Sequence, residues 1–154
     1  MARRLSFLVV LAALFAGGCG QSEKDKLIAQ ADPICKQVNE RRAAANAALG
    51  NVTNLSGKGT LAAVARSAPA LAANQHEAVA KLTALKAPSS VSKDWGTMLS
   101  GLQQLANYTA QLGLVAGAKK PQIGEKLIAT SRQLQKKLIA LAKQDGFQHC
   151  GRLN

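Results

Sequence analysis

The sequence is poor in three kinds of residue, and each shortage argues against a class of protein. Aromatic residues make up only 3% of the 154 residues, so the chain does not favour the base-stacking surfaces of single-strand nucleic-acid-binding proteins. Only 8 acidic residues accompany 20 basic ones, and only two histidines are present. Few groups are therefore available for general acid–base catalysis or metal ligation. We predict that the protein is not an enzyme and has no metal site.

The histidines complete no known catalytic or cofactor-binding pattern. His76 precedes Glu77, but the zinc peptidase motif H-E-x-x-H would need a second histidine where the chain has Ala80. The C-x-x-C-H motif for covalent haem attachment is also absent. Non-covalent haem ligation would be left to His76 and Met98, although a methionine at helical spacing is more typical of a core. A carrier of a small apolar ligand or a haem-like cofactor is thus the alternative function.

The sequence also has no apolar run long enough to span a membrane. Its longest apolar run stands at the start of the chain. It extends from Leu5 to Ala16 after the basic pair Arg3-Arg4, which suits a signal peptide, and it is shorter than the roughly 20 residues of a membrane span. The following segment Phe15–Cys19, FAGGC, resembles a bacterial lipobox, in which small residues precede a lipidated cysteine. We predict that residues 1–18 form a lipoprotein signal peptide and that Cys19 is lipidated.

This lipidation predicts where the protein resides. Bacterial lipoproteins of this kind carry two or three acyl chains, palmitate among them, which suffices for stable membrane attachment. The polar residues 19–22 would then form a short tether to the folded domain. We expect the protein at the extracytoplasmic face of the cell membrane, or on the periplasmic side where an outer membrane is present.

The charge predicts the chemistry of its neighbours. The formal net charge of +12 favours anionic lipid or cell-wall polymer, while a protein partner of unknown identity stays open. The basic residues are dispersed, with no block of five or more like charges, so nucleic acid is not favoured. Two adjacent basic pairs lie on segments that we expect to be neighbouring helices. They are the predicted binding surface: Arg41, Arg42, Lys136 and Lys137.

Three cysteines are present, and lipidation of one leaves an even pair. Cys35 and Cys150 would form a disulfide, as is usual in exported proteins. The bridge would close nearly the whole domain, for which chain-entropy reasoning gives up to about 4–5 kcal/mol of stabilisation. We predict a structural disulfide, because the C-x-x-C motif of redox-active pairs is absent.

The remaining chain is rich in alanine, the best helix former, and has no long alternating β pattern. Apolar residues recur every three or four positions in four stretches, separated by Gly- and Pro-containing links. The pattern predicts an all-α, up-down-up-down four-helix bundle over residues 23–154, with one disulfide. Its helices are expected at about 23–49, 61–86, 91–117 and 121–145.

Local signals mark the helix ends. Ser22 and Asp25 approximate a capping box for the first helix, and Pro121 suits the first position of the fourth. Gly146 followed by Phe147 is typical of a Schellman stop.

Other signals concern the middle of the chain. Thr60 is the expected N-cap of the second helix, and the segment Ala87–Ser90 should end that helix and cap the third. Pro33 is expected to bend the first helix without splitting it, and Pro69 to bend the second.

Two segments carry a resemblance that extends over the mature chain. The early stretch ADPICK, Ala31–Lys36, the residue Trp95 and the terminal stretch GFQHCG, Gly146–Gly151, resemble a group of small uncharacterised alanine-rich bacterial lipoproteins. That group shares an A-D-x-I-C early helix and a terminal G-F-x-x-C-G; Pro33 departs from it. The resemblance implies a common scaffold and no particular activity.

Overall fold

The fold is a bundle of four helices in the computed structural model, which describes residues 22–49, Leu55 and residues 58–150. These residues contain no β-strand. The helices are α1 (Glu23–Leu49), α2 (Lys58–Thr83), α3 (Ser92–Gly117) and α4 (Pro121–Asp145). The predicted fold class, an up-down-up-down bundle with one disulfide, is confirmed.

The predicted helix bounds are right for α1 and α4 but displaced for α2. The second helix begins at Lys58, so Thr60 lies inside it and the predicted N-cap is wrong. It also ends at Thr83 rather than near residue 86. The cause is a tightening of the last turn, in which the N–H of Leu85 donates to the carbonyl of Leu82 at 3.1 Å, a three-residue span.

The expected start of α1 and end of α4 are confirmed. Ser22 Oγ accepts the N–H of Asp25 at 3.1 Å, and Asp25 Oδ2 accepts the N–H of Ser22 at 3.3 Å, as in a capping box. Gly146 has φ 86°, and the N–H of Phe147 donates to the carbonyl of Ala142 at 2.9 Å. This left-handed residue and its hydrogen bond form the Schellman stop.

The expected serine cap of α3 is wrong. Its N-cap residue is Val91, which makes no side-chain capping hydrogen bond. Ser92 Oγ instead donates to the carbonyl of Ser89 at 3.2 Å, so the hydroxyl bonds backward within the connecting turn. In α1 the helix continues through Pro33 as one element, as predicted, and α2 likewise continues through Pro69.

The apolar core is divided between the two ends of the bundle. At one end lies a large cluster contributed by all four helices and by the chain after α4; at the other lies a small cluster made mostly of α2, α3 and Leu55. The large cluster contains Leu27, Ala31, Cys35, Val79, Leu82, Val91, Trp95, Met98, Leu102, Leu105, Leu138, Ala142, Phe147 and Cys150. The small cluster contains Leu55, Val64, Ala68 and Ala116.

Glycines allow the helices to approach closely at two points. A Cβ on Gly101 of α3 would lie 2.5 Å from Leu138 Cδ2 of α4, and one on Gly124 of α4 would overlap Leu55 Cδ1. Because these contacts are closer than a methyl group permits, the two glycines fix the separation of α3, α4 and the segment containing Leu55.

The alternation of the helices gives the bundle two distinct ends. We call one the clasp end: α1 begins there, α4 ends there, and residues 146–150, the C-terminal clasp, fold back over it. We call the other the turn end, where α3 is joined to α4 through residues 118–120. Each helix is about 37–40 Å long at 1.5 Å per residue.

Candidate functional site

The predicted disulfide is present at the clasp end. Cys35 of α1 and Cys150 of the C-terminal clasp are joined with an S–S distance of 2.03 Å and a Cα–Cα distance of 4.9 Å. Both cysteines are buried, with exposed fractions of 3% and 0%. The bridge thus belongs to the core and is shielded from solvent, as expected of a structural disulfide.

Asp32 binds the C-terminal clasp through its carboxylate. It accepts the backbone N–H groups of three consecutive residues, Gln148 at 2.9 Å, His149 at 3.0 Å and Cys150 at 3.3 Å. These N–H groups have left the helical hydrogen-bond pattern, so an acceptor on α1 is needed to satisfy them. Asn39 Nδ2 donates to the carbonyl of His149 at 2.8 Å, completing the attachment.

The motifs that suggested the family resemblance therefore meet in one structural unit. Asp32 and Cys35 of the early motif contact the terminal motif directly, and Phe147 stacks on Trp95. Asp32 binds backbone groups, Cys35 forms a disulfide and Phe147 stacks on an aromatic ring. These contacts account for the motif residues as stabilising residues. Membership of the family stays a prediction.

The residues considered for haem or zinc are engaged elsewhere. His76 Nδ1 of α2 lies 2.9 Å from Gln103 Nε2 of α3, whereas Met98 is fully buried in the large core cluster. Glu77 pairs with Lys81 at 2.7 Å, and this hydrogen bond lowers the pKa of the Glu77 carboxyl.

A cavity and a groove bear on the ligand-carrier alternative. The cavity, between α1, α2 and α3 beside Gln75, has a volume of about 20 Å³, room for about one water molecule. The groove, between α3 and α4, has a volume of about 530 Å³, within the range of small-molecule sites. Small residues of α3 such as Gly96 and Ser100 form one side, leucines of α4 form the other, and Lys93 and Lys137 line it as well.

The described ranges show two further absences. They contain no cluster of three or more His, Cys, Asp or Glu side chains that could hold a metal ion. No helix in them has the length and apolar character of a membrane span.

The two predicted basic pairs occupy different environments. Arg41 is exposed and donates a hydrogen bond to Asn74 Oδ1 on α2, while Arg42 is half-buried. Burial lowers the pKa of the Arg42 guanidinium, although arginine keeps its charge at neutral pH. Lys136 and Lys137 on α4 are exposed. α1 packs mainly on α2, and α4 on α3, so the structure does not join the pairs into one patch.

The strongest concentration of positive charge lies on α4. Five exposed basic residues stand on this helix, and no carboxylate of the described chain lies within salt-bridge distance of them. In α1, by contrast, four acidic residues accompany five basic ones. We call the α4 set the basic face: Lys126, Arg132, Lys136, Lys137 and Lys143.

Sequence reasoning recognised only two residues of this basic face. These two are adjacent in the sequence, whereas Arg132, Lys136 and Lys143 follow one another at i, i+4 and i+11 on a single side of the helix. Helical spacing of the charges would have revealed them. Lys126 and Lys137 lie beside this line, with Lys137 lining the α3–α4 groove.

Cys19, with the predicted signal peptide and most of the tether, lies outside the described residues. No protein-family model matches the sequence, and comparisons with curated proteins and with solved structures find no significant match.

Proposed function

We propose that the protein is a non-catalytic lipoprotein that is held at the cell membrane by lipid on Cys19 and binds an anionic surface through the basic face of α4. The basic face is the observation that supports this proposal most directly. Its charges are exposed and are not neutralised by described carboxylates, so they remain available to an anionic neighbour. Phospholipid headgroups and cell-wall polymers both carry such charge.

The lipid anchor strengthens the electrostatic contribution. Attraction between exposed charges decays over about 8–10 Å at physiological salt, so a basic surface acts only when it is held close to its target. A lipid on Cys19 and a tether of residues 19–22, which reaches at most about 14 Å, would keep the near end of the bundle within one to two of these decay lengths. The anchor and the basic face are therefore complementary.

The anchoring part is tested by expressing the full gene with Cys19→Ser. We expect wild type to be processed and to partition into the detergent phase, and the variant to lose both properties. A Cys19→Ser protein that is still processed and membrane-bound would contradict lipidation.

The surface-binding part is tested with the mature chain carrying Cys19→Ser and vesicles of phosphatidylglycerol and phosphatidylcholine. We expect binding that weakens with salt and with Lys136→Glu plus Lys137→Glu, because each basic residue near an anionic surface contributes about 1 kcal/mol. Arg66→Glu plus Lys86→Glu is the matched control, since both residues are exposed and lie outside α4. No binding even at low salt would refute the proposal.

The α3–α4 groove supports a second candidate function, a carrier of a small apolar ligand. Its volume of about 530 Å³ and its leucine-lined side suit such a molecule. Native mass spectrometry and absorption spectroscopy of the protein as purified would test this. A stoichiometric bound species would favour the carrier function. A measured mass equal to that of the protein alone would not.

A further inference from the structure

Two exposed apolar side chains mark the turn end of the bundle. Leu114 is 74% exposed and Ile123 is 47% exposed, and they are the exposed large hydrophobic residues of the described chain. Leu114 belongs to the last turn of α3 and Ile123 to the first turn of α4. Scattered single apolar residues on a surface are ordinary, but these two stand on both sides of the same three-residue connection.

Basic residues surround this connection. Lys119 and Lys120 lie in it and Lys126 follows in α4; all three are exposed. None makes a salt bridge with any carboxylate of the residues that the structure describes. We call Leu114, Ile123 and the connecting residues 118–120 the tip. An apolar tip bordered by lysines is complementary to the boundary between anionic headgroups and acyl chains.

The backbone of Lys119 is a further peculiarity of this turn. Its φ of 56° lies in the left-handed region, where Lys119 is the only non-glycine residue of the described chain. Glycine would adopt this conformation without strain. The chain nevertheless places a charged side chain there at a cost in stability, which suits a role in binding.

The position of the tip relative to the predicted lipid anchor defines an orientation. α4 runs from the tip to Asp145, and Asp145 forms a 3.8 Å ion pair with Lys24 beside the start of α1. The start of α1, which follows the predicted anchor in the sequence, and the tip therefore lie at opposite ends of α4, which is about 37 Å long for its 25 residues. Along that length Lys126 and Lys137 lie within about 60° of Ile123 around the axis of α4, whereas Arg132, Lys136 and Lys143 lie on the opposite side.

We propose that the α3–α4 turn is a second membrane contact, in which Leu114 and Ile123 enter the headgroup region of an anionic phospholipid bilayer and Lys119 and Lys120 bind lipid phosphates. The bundle then lies along the membrane with the side of α4 that carries Ile123, Lys126 and Lys137 against it, instead of standing upright on its anchor. This inference rests on the proposed function, because it assumes the anchor at Cys19 and specifies a phospholipid surface as the anionic target.

A depth measurement tests the orientation in the lipidated mature chain. With Cys19 lipidated and Cys35 bridged to Cys150, a cysteine introduced by Ile123→Cys is a unique site for an environment-sensitive fluorophore. The control is Ala73→Cys, an exposed position on α2, a helix that packs on α1 and α3. In vesicles containing phosphatidylglycerol, we expect spin-labelled lipids to quench the probe at 123 and not the probe at 73. Equal, water-like signals at both positions would overturn the proposal.

A binding measurement distinguishes this inference from the proposed function. With the mature Cys19→Ser chain, we expect Leu114→Ser plus Ile123→Ser to weaken vesicle binding by about tenfold or more, since the buried apolar area is lost. Lys119→Glu plus Lys120→Glu should weaken it by about fivefold per residue. If both double variants bind vesicles as tightly as the parent chain, the tip contact is refuted, but the proposed binding to an anionic surface is not. Failure of the parent chain to bind refutes the function, and the depth measurement then decides the tip independently.

Discussion

Trp95 and Phe147 stack on each other at the clasp end of the bundle, with ring centroids 5.5 Å apart and planes inclined by 21°. Trp95 stands in the first turn of α3, whereas Phe147 follows α4, and both are about 4% exposed. The Schellman stop at Gly146 directs Phe147 inward, so the aromatic contact joins the clasp to the large core cluster. In a chain with so few aromatic residues, this pair provides a large share of the aromatic packing.

Phe147→Ala should destabilise the protein by about 3–5 kcal/mol, since it removes a fully packed ring and leaves a cavity. Phe147→Leu should cost less because it retains most of the buried volume. Denaturant unfolding measures both changes, and the fluorescence of Trp95 reports the local environment. Equal stability of Phe147→Ala and wild type would show that the stacking contributes nothing.

Asp32→Asn should destabilise the protein by about 1–3 kcal/mol. The neutral amide is a weaker acceptor for the three backbone N–H groups of Gln148, His149 and Cys150. The loosened clasp should also let dithiothreitol reduce the disulfide faster than in wild type. Glu125→Gln is the control, because that exposed residue forms no salt bridge within the described chain. An equal reduction rate in Asp32→Asn and wild type would contradict this role.

Loss of the disulfide should lower the melting temperature by about 10 °C. The bridge between Cys35 and Cys150 spans a sequence separation of 115 and confers at most about 4–5 kcal/mol. Scanning calorimetry of Cys35→Ala plus Cys150→Ala measures this. Thiol titration of the unreduced, denatured mature wild type should find neither cysteine reactive; two reactive thiols would show that the bridge does not form.

Lys119→Gly should raise stability and weaken vesicle binding at the same time. Glycine relieves the left-handed backbone strain, worth about 1 kcal/mol, while the charge is lost. Lys119→Ala separates the two effects, because it removes the charge and keeps the strain. Chemical unfolding and vesicle sedimentation measure them; unchanged binding in both variants would exclude Lys119 from the contact.

Gly124→Ala should destabilise the protein by about 1–3 kcal/mol, although alanine favours helices, because the added methyl overlaps the fully buried Leu55. Gly96→Ala is the matched control: its Cβ would meet nothing within 4 Å, so it should be neutral or stabilising by up to about 1 kcal/mol. The melting temperature should therefore fall in Gly124→Ala and stay the same or rise in Gly96→Ala. Stabilisation by both would show that the contact with Leu55 relaxes freely.

The helical class, the bounds of α1 and α4 and the disulfide pair could all be predicted from the sequence. These follow from local signals, such as the capping box at Ser22 and the left-handed stop at Gly146, and from an even number of remaining cysteines. Local signals misplaced α2 and the cap of α3, because hydrogen bonds among the connecting residues, as at Leu85 and Ser92, replaced the expected endings.

Which of these residues contact one another depends on the packing of the four helices. Asp32 binds the N–H groups of residues 148–150 because the topology returns the end of α4 to the start of α1, and no local pattern encodes that contact. In the same way, the packing of α3 against α4 left Leu114 and Ile123 outside the core and assembled the lysines of the turn around them. The exposure of a side chain depends on which helix faces are covered by neighbouring helices. That coverage is established only when all four helices pack together.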